Sequence, residues 1–446
     1  MYKLYTPKTA TAETPAPGVL LLHGYQNDHE TCAAYAIKLA RRGAVVLCLD
    51  EYGHGSTTAG LINRGYVNHK VTVNYGEDSV EDGTARRMEL LNTNHRLTTH
   101  NAHGLATALT WFSDTIGLDL TLAPTDQVAM TKETPVLIAM LAAVASLMAV
   151  MELLLTTPFF SKAVQPLPGE ASVKPNGAWW RGAIITMLLA AATYPFMTQL
   201  GHGLLPLPEN IFRMTVGNGF LSWYLLLIML VTSIIGYQKN KKRGAQDGWQ
   251  SMGLGTAAAS GRMGWGLLGR CALLVLCMLA YLYVLLFLCE KAFLLDFRFI
   301  WPFFKTFDAA RFGQFCVYLP VFALFFILSS SKIMASARCK ATYQPGFKGF
   351  LGCWCRNALM MVGGILIIVL IEYIPFFMNI APGADLLFGS TFGGPFMSLL
   401  ILFVPQVLVF SVLCTYTYRR TGSVYVGALT AASLACWIVT GGSSML

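Results

Sequence analysis

Residues 18–56 read GVLLLHGYQNDHETCAAYAIKLARRGAVVLCLDEYGHGS and contain three predicted elements in close succession. The segment GVLLLHG is apolar and predicts a buried strand, and AVVLCLD predicts a second strand that ends on a carboxylate. Between them, apolar residues recur at helical spacing in ETCAAYAIKLARRG, with Gly43 as the stop signal. A strand, a helix and a strand in this order predict a parallel βαβ unit, with functional loops after the strands.

The rest of the chain has the composition of a membrane protein. Of its 446 residues, 55% are hydrophobic and only 12% are charged, whereas ordinary globular chains carry about 25% charged residues. A membrane-spanning helix needs about 20 predominantly apolar residues. We therefore predict an all-α transmembrane bundle of about eight helices. The predicted spans are 135–156, 183–199, 219–237, 271–289, 315–331, 357–378, 396–416 and 425–441.

The distribution of Lys and Arg between these spans predicts an orientation. The loops after the first, third, fifth and seventh spans carry sixteen Lys and Arg residues, and the alternate loops carry five. Because positive loops face the cytoplasm, the N-terminal domain is expected outside it, in a multi-pass protein of the cell membrane. The same rule explains the net charge of +9 without a nucleic-acid partner. Because residues 1–17 contain no apolar export segment, either the orientation is inverted or Met1 is not the native start. The charge bias between the loops favours a missing upstream anchor.

Two blocks of the N-terminal region resemble the α/β-hydrolase superfamily, near its serine aminopeptidase and lipase-like branch. The first block is His23-Gly24-Tyr25 after the first strand, followed by the Asp-x-x-Gly-x-Gly pattern that begins at Asp50. The resemblance implies a partial α/β-hydrolase-like parallel sheet in which the backbone N–H of Tyr25 helps to form the oxyanion hole. The loop after Asp50 shapes the site in that family, and Ser56 within it lacks the context of a nucleophile.

The second block is RRMELLNTNHRLTTHNAHGLATALTWF at residues 86–112, which resembles the end of the same fold. In that family a short strand and a loop with the catalytic histidine precede a closing helix. The resemblance implies that His95, which lies 16 residues before Trp111, is the general base. His100 is a second candidate, although helix capping or solvent contact also explains His100 and His103.

The nucleophile of the family is missing from this chain. No G-x-S-x-G occurs, and the closest segment, LFGSTFGG around Ser390, has the wrong spacing and lies between two predicted spans. Only about 40 residues separate Asp50 from His95, whereas such a catalytic core needs on the order of 200 residues. No acid can be assigned, because the nearby carboxylates have the pattern of a solvated loop. These carboxylates are Glu77, Asp78, Glu81 and Asp82.

The sequence therefore predicts three regions: a partial hydrolase-like domain at 1–118, a linker at 119–134 and the transmembrane domain at 135–446. A missing segment is expected near residues 83–86. Hydrolysis of an ester or amide by a serine is the ancestral activity that the resemblance implies, and we expect this chain to lack it. The expected partners are the lipid bilayer and an unidentified ester or amide substrate, with no cofactor.

The alternative is a non-enzymatic, transporter-like or scaffolding membrane protein with a vestigial hydrolase domain. Its candidate residues are Glu152 and Glu372, because ionisable side chains inside spans are often functional; a hydrogen-bonded contact between helices also explains Glu372.

Two further segments lie in the predicted loops between spans. Cys339, Cys353 and Cys355 share one basic loop and allow either a zinc site or free thiols. The segment GLGTAAASGRMGWG at residues 253–266 predicts a flexible loop.

Overall fold

Contacts divide the chain into two units. Unit 1 comprises Met1–Met140, Leu295–Ala310 and Gly441–Leu446, and unit 2 comprises Leu141–Leu294 and Arg311–Thr440. These units belong to a computed structural model that describes residues 2–24, 27–50, 91, 95–169, 176–205, 207–241, 248–258, 262–378 and 394–445.

Unit 1 contains a three-stranded sheet in the order β1-β3-β2. Strands β2 (Gly18–Leu22) and β3 (Val45–Leu49) are parallel and are connected by helix α1 (Ala33–Ala40), as the sequence predicts. Strand β1 (Tyr2–Tyr5) pairs with the other edge of β3 and is antiparallel to it. The prediction of a parallel sheet is therefore correct for β2 and β3 but not for β1, which makes the sheet mixed. It missed β1 because a four-residue strand is too short for a periodicity argument.

The core of this sheet lies between β3 and two helices. Val46 and Cys48 of β3 are fully buried, and they belong to one apolar cluster with Ala36 and Leu39 of α1. Helix α2 (Ala102–Ile116) contributes Leu109 to the same cluster. The alternating burial of β3 explains why this segment forms a strand, because only every second side chain faces the core.

The stretch predicted as a linker is tied to α1 by hydrogen bonds. Arg42 Nη2 donates to the carbonyl of Leu122 at 3.0 Å, and Lys38 Nζ donates to the carbonyl of Asp126 at 3.4 Å. Helix α3 then begins at Ala129, inside the predicted linker, and continues to Leu155. Basic side chains of α1 and of the turn after it thus satisfy backbone carbonyls of a segment that has no regular partner of its own.

A short hairpin, formed by β4 (Phe297–Phe299) and β5 (Trp301–Phe304), also belongs to unit 1. Ile300, between the two strands, has a φ of 64°, which is a strained conformation for a β-branched residue. The carboxylate of Glu133 accepts a hydrogen bond from the backbone N–H of Ile300 at 3.1 Å. This contact helps to hold the turn in place.

Eight helices among the described residues are long and apolar enough to cross a membrane, which agrees with the predicted number of spans. The chain is thus a multi-pass membrane protein. Pro195 and Pro320 lie inside α4 and α7, and each of these helices continues into a π-helical turn. The eight helices are α3, α4 (Gly177–Gln199), α5 (Thr215–Lys241), α6 (Trp265–Phe293), α7 (Ala309–Ser330), α9 (Gly346–Phe377), α10 (Gly394–Thr421) and α11 (Tyr425–Gly442), while α8 (Lys340–Tyr343) is a single turn.

Helix α11 is the most deeply buried of the eight, and 94% of its 18 residues are buried inside the protein. Its sequence, YVGALTAASLACWIVTGG, is rich in small residues. A Cβ atom at Gly427 would lie 2.7 Å from the Cα of Cys414 on α10, so only glycine permits this approach. Small residues that let two backbones pack closely are typical of helix association in membranes.

The Gly-rich connection between α5 and α6 is compact in its described part, residues 248–258 and 262–264, so the prediction of a flexible loop is wrong there. Met252 and Leu254 are buried. The carbonyl of Gly253 accepts hydrogen bonds from Val424 N and Ser423 Oγ, both at 3.1 Å. The small residues therefore allow the loop to pack against the connection between α10 and α11, which supplies partners for its backbone.

Further connections of unit 2 meet in the same place. Gln165 N donates to the carbonyl of Thr421 at 2.7 Å, and Arg338 Nη1 donates to the carbonyl of Ser251 at 2.5 Å. The α3–α4, α5–α6, α7–α9 and α10–α11 connections consequently lie together at one end of the helices. We call it the basic end, because it carries the positive loops.

Candidate functional site

The carboxyl ends of β2 and β3 bring together two residues of the hydrolase-like pattern. His23 follows β2 and is buried, and its Nδ1 lies 2.9 Å from the carbonyl oxygen of Gly24. Asp50 follows β3, and its Oδ1 accepts hydrogen bonds from His29 N at 2.8 Å and from Nδ1 of the same residue at 2.6 Å. Asp50 therefore fixes the position of His29, a histidine that the sequence patterns did not indicate.

The two predicted catalytic residues are largely outside the described part of the structure. Tyr25 lies outside the described residues. His95 is the first residue of a 3-10 helix, His95–His100, but only its backbone is described. Other residues of the prediction also lie outside the described ranges. They are Gly53, Gly55, Ser56, Glu77, Asp78, Glu81, Asp82 and Ser390.

His100 contacts a carboxylate of helix α3. Its Nε2 lies 3.8 Å from Glu133 Oε1, its Nδ1 lies 3.0 Å from Thr99 Oγ1, and its side chain is only 7% exposed. The cap of α2 is supplied instead by Asn101, whose side chain accepts from Gly104 N at 2.9 Å. His100 thus takes part in the internal packing of unit 1 and does not cap the helix.

A buried cluster of charged residues lies next to His29. We call it the Asp28 cluster, and it consists of Asp28, Glu30, Asp296, Arg298 and Lys305. The guanidinium of Arg298 donates to both carboxylate oxygens of Asp28, at 3.1 and 3.0 Å, and its Nε donates to Asp296 at 2.5 Å. Lys305 forms a second ion pair with Asp28. Asp28 and Arg298 are 1% and 2% exposed, so this bidentate pair is almost completely removed from water.

Two further lysines extend the cluster through Glu30. Lys3 Nζ lies 2.6 Å from one carboxylate oxygen of Glu30, and Lys132 Nζ lies 2.5 Å from the other. The three carboxylates thus face four cations from β1, α3 and the β4–β5 region. Sequence patterns did not indicate this cluster, because its central partners are 270 positions apart. The available signal was the presence of Arg298 and Lys305 in a loop that the charge distribution predicts to lie outside the cytoplasm.

The cations determine the protonation of the cluster. Burial alone would raise the pKa of Asp28, but the charges of Arg298 and Lys305 outweigh it and hold the pKa well below its usual value. Burial likewise opposes ionisation of Glu30, but Lys132, Arg298 and Lys3 lower its pKa to about 2. Carboxylates with such low pKa values are poor general bases near neutral pH. The arrangement is suited to holding segments of unit 1 together.

We predict that acid weakens unit 1 through this cluster. Because the pKa of Glu30 is lowered from 4.5 to about 2 on folding, its contribution to stability is complete above pH 4.5 and is lost as the pH falls towards 2. Hydrogen-exchange protection factors for β3 should therefore decrease between pH 5 and about pH 3. Glu30→Gln should show a smaller decrease in protection than the wild type. An identical decrease in both proteins would contradict the assignment of this acid sensitivity to Glu30.

The membrane carboxylates have different surroundings. Glu152 on α3 accepts hydrogen bonds from Arg420 Nε at 2.9 and 3.0 Å and from Tyr416 Oη at 2.9 Å. It is therefore a paired residue at the surface of the helices. Glu372 on α9 is 1% exposed, which is consistent with either of its two interpretations.

The three cysteines predicted to share a basic loop do not share one environment, and Cys353 and Cys355 lie within α9. Cys353 is buried, and its Sγ lies 3.4 Å from Asn357 Nδ2, whereas Cys355 is exposed. Within the described ranges, no group of three or more His, Cys, Asp or Glu side chains is placed to hold a metal ion. These ranges include Cys339, Cys353 and Cys355.

An apolar cavity of about 490 Å³ lies between the helices of unit 2. Its volume is within the roughly 300–1,000 Å³ that is typical of ligand pockets. The walls come from α4, α5, α7, α9 and α10, and they include Trp223, Phe325 and Ile365. A smaller cavity of about 40 Å³ shares part of this wall and also borders Gln406. The sequence could not indicate either cavity, since each depends on how at least five separate helices pack.

A search for similar proteins finds no matching family model, no similar curated protein and no similar solved structure.

Proposed function

We propose that this protein is a membrane-bound member of the α/β-hydrolase type whose N-terminal domain lies outside the cytoplasm. Its ancestral activity is hydrolysis of an ester or amide by a serine nucleophile, and the chain itself is inactive in this reaction. The observation that carries the proposal is the parallel β2–α1–β3 unit, with His23-Gly24 after β2 and Asp50 after β3.

The placement of this unit supports the family assignment. In open α/β sheets, functional loops follow the carboxyl ends of the strands, and the described residues of the first block, His23-Gly24 after β2 and Asp50 after β3, lie at such ends. Helix α2 supplies the closing helix that should follow the histidine loop, and its residue Leu109 packs into the core under the sheet. Within this proposal, His95 is the position of the general base and Tyr25 N–H is the oxyanion donor.

The orientation follows from the parity of the spans and from charge. With eight spans, the N-terminal region and the α6–α7 connection lie on the same side of the membrane, and the contacts of Asp28 with Arg298 and Lys305 agree with this. The basic end carries the positive loops and therefore faces the cytoplasm. The N-terminal domain consequently lies on the side of the cell membrane that faces away from the cytoplasm.

Labelling with a fluorophosphonate probe tests the enzymatic part of the proposal. We expect the purified full-length chain to remain unlabelled under conditions in which a serine esterase labels completely, because no G-x-S-x-G segment supplies an activated serine. A heat-denatured sample of the same chain defines the background. Labelling above this background that disappears in His95→Ala would show that the chain has an active serine and would contradict the proposed inactivity.

A transporter-like function of the helices is the second candidate, and its candidate residue is Glu372, an ionisable side chain buried within α9. Proton- or ion-coupled uptake that Glu372→Gln abolishes would support this candidate. Uptake that is unchanged in the variant would count against it, and Glu152→Gln provides a matched control at a carboxylate that is paired with Arg420.

A further inference from the structure

The cavity of unit 2 extends from the basic end of the helices into their middle. Trp179 lies in the first turn of α4, and Lys332 follows α7 directly, so both belong to the basic end. The deeper wall is formed by Tyr224, Phe326 and Val407, which lie within α5, α7 and α10. The cavity therefore has a tryptophan and a lysine at the basic end and an apolar interior.

This arrangement matches the two parts of a membrane lipid. Tryptophan side chains prefer the level of the lipid headgroups, and a lysine at this level attracts anionic headgroups. The aromatic and aliphatic interior offers contacts to hydrocarbon and few polar groups to anything else. A water-soluble ligand would lose its hydration in such an interior without regaining hydrogen bonds.

We propose that the cavity binds one acyl chain of an anionic phospholipid, with the phosphate next to Lys332 and Trp179. The lipid comes from the leaflet at the basic end; that this leaflet is the cytoplasmic one depends on the proposed orientation, whereas the binding does not. The site is independent of the hydrolase-like domain, since every residue that lines it belongs to unit 2.

Native mass spectrometry of the delipidated full-length chain in detergent tests the proposal. The chain is titrated with phosphatidylglycerol and, separately, with phosphatidylcholine of the same acyl composition. We expect one phosphatidylglycerol to be retained about fivefold more strongly than phosphatidylcholine, the difference that one interfacial lysine provides. Equal retention of the two lipids would overturn the proposal. Because the measurement is made in detergent, its result does not depend on orientation or on hydrolase activity.

Three substitutions locate the headgroup. Lys332→Gln should reduce phosphatidylglycerol retention about fivefold, to the level of phosphatidylcholine, and Lys332→Arg should preserve it. Lys348→Gln is the matched control, because Lys348 is an exposed lysine near the start of α9 that does not line the cavity. A similar loss for Lys332→Gln and Lys348→Gln would show nonspecific attraction and would contradict the assigned site.

The acyl chain is located by filling the cavity and by crosslinking. Val407→Phe should reduce the retention of both lipids, since it places a ring in the deep part of the cavity. Photocrosslinking of the wild-type chain with phosphatidylglycerol that carries a diazirine in its acyl chain locates the acyl chain even if this variant does not fold. We expect crosslinks within residues 179–190 and 360–365. Crosslinks confined to outward-facing residues such as Leu276 and Val284 of α6 would overturn the proposal.

Discussion

Arg298→Met is expected to destabilise unit 1 by about 3–5 kcal/mol, the usual cost of removing one partner from a buried ion pair. Arg298 is 2% exposed and is shared by Asp28 and Asp296. Without the guanidinium, the negative charges of Asp28 and Asp296 lose a cationic partner in a site that is largely removed from water. Methionine keeps much of the side-chain volume, so the expected effect is mainly electrostatic.

Hydrogen exchange of the detergent-solubilised full-length chain measures this effect. Amides of α1 and β3 should lose protection by roughly 100-fold or more. Arg41→Met is the matched control, because Arg41 pairs with Asp126 at the surface, where the two side chains are 30% and 41% exposed. The control should change protection much less, since exposed ion pairs contribute little. Equal losses in the two variants would show that the Asp28 cluster has no special role.

Gly422→Ala should destabilise unit 2 by roughly 2–5 kcal/mol. Gly422 has a φ of 65°, and a Cβ at this position would lie 2.1 Å from the carbonyl oxygen of Gln165. The substitution therefore combines an unfavourable backbone conformation with a steric clash against backbone. The α10–α11 turn would have to move away from the α3–α4 connection, and the hydrogen bond from Gln165 N to Thr421 O would be lost.

The temperature at which the detergent-solubilised protein loses its monodisperse elution peak reports this change. Gly269→Ala is the control, because this exposed glycine lies within α6 and has open space around it. Alanine there should be neutral or stabilising by up to about 1 kcal/mol. If Gly422→Ala were as stable as the wild type, the packing of the connections at the basic end would be incorrect.

The sequence was most informative where a single segment determines the structure. Length and apolarity were sufficient for the eight spans, because a helix in lipid must satisfy its own backbone. The β2–α1–β3 unit was likewise recognisable from two apolar runs around a helical pattern with Gly43 after it. These predictions required no knowledge of contacts between distant segments.

Features that depend on distant segments were missed. Strand β1 is defined by its pairing with β3, and the four residues YKLY do not predict a strand by themselves. Asp28 is paired by residues about 270 positions away, so its burial could not be inferred from its neighbours. The Gly-rich connection suggested flexibility, whereas its glycines allow close packing against Val424. Predicting these features requires the tertiary structure.

Labelling with a membrane-impermeant maleimide reagent tests the central claim about topology, that the N-terminal domain of this multi-pass membrane protein lies outside the cytoplasm. Thr9→Cys places a thiol on the exposed N-terminal region of unit 1, and Lys348→Cys places one near the basic end. In intact cells, we expect Thr9→Cys to show a larger mass shift than the unsubstituted chain. Lys348→Cys should show it only after the membrane is permeabilised. The reverse pattern would contradict the account.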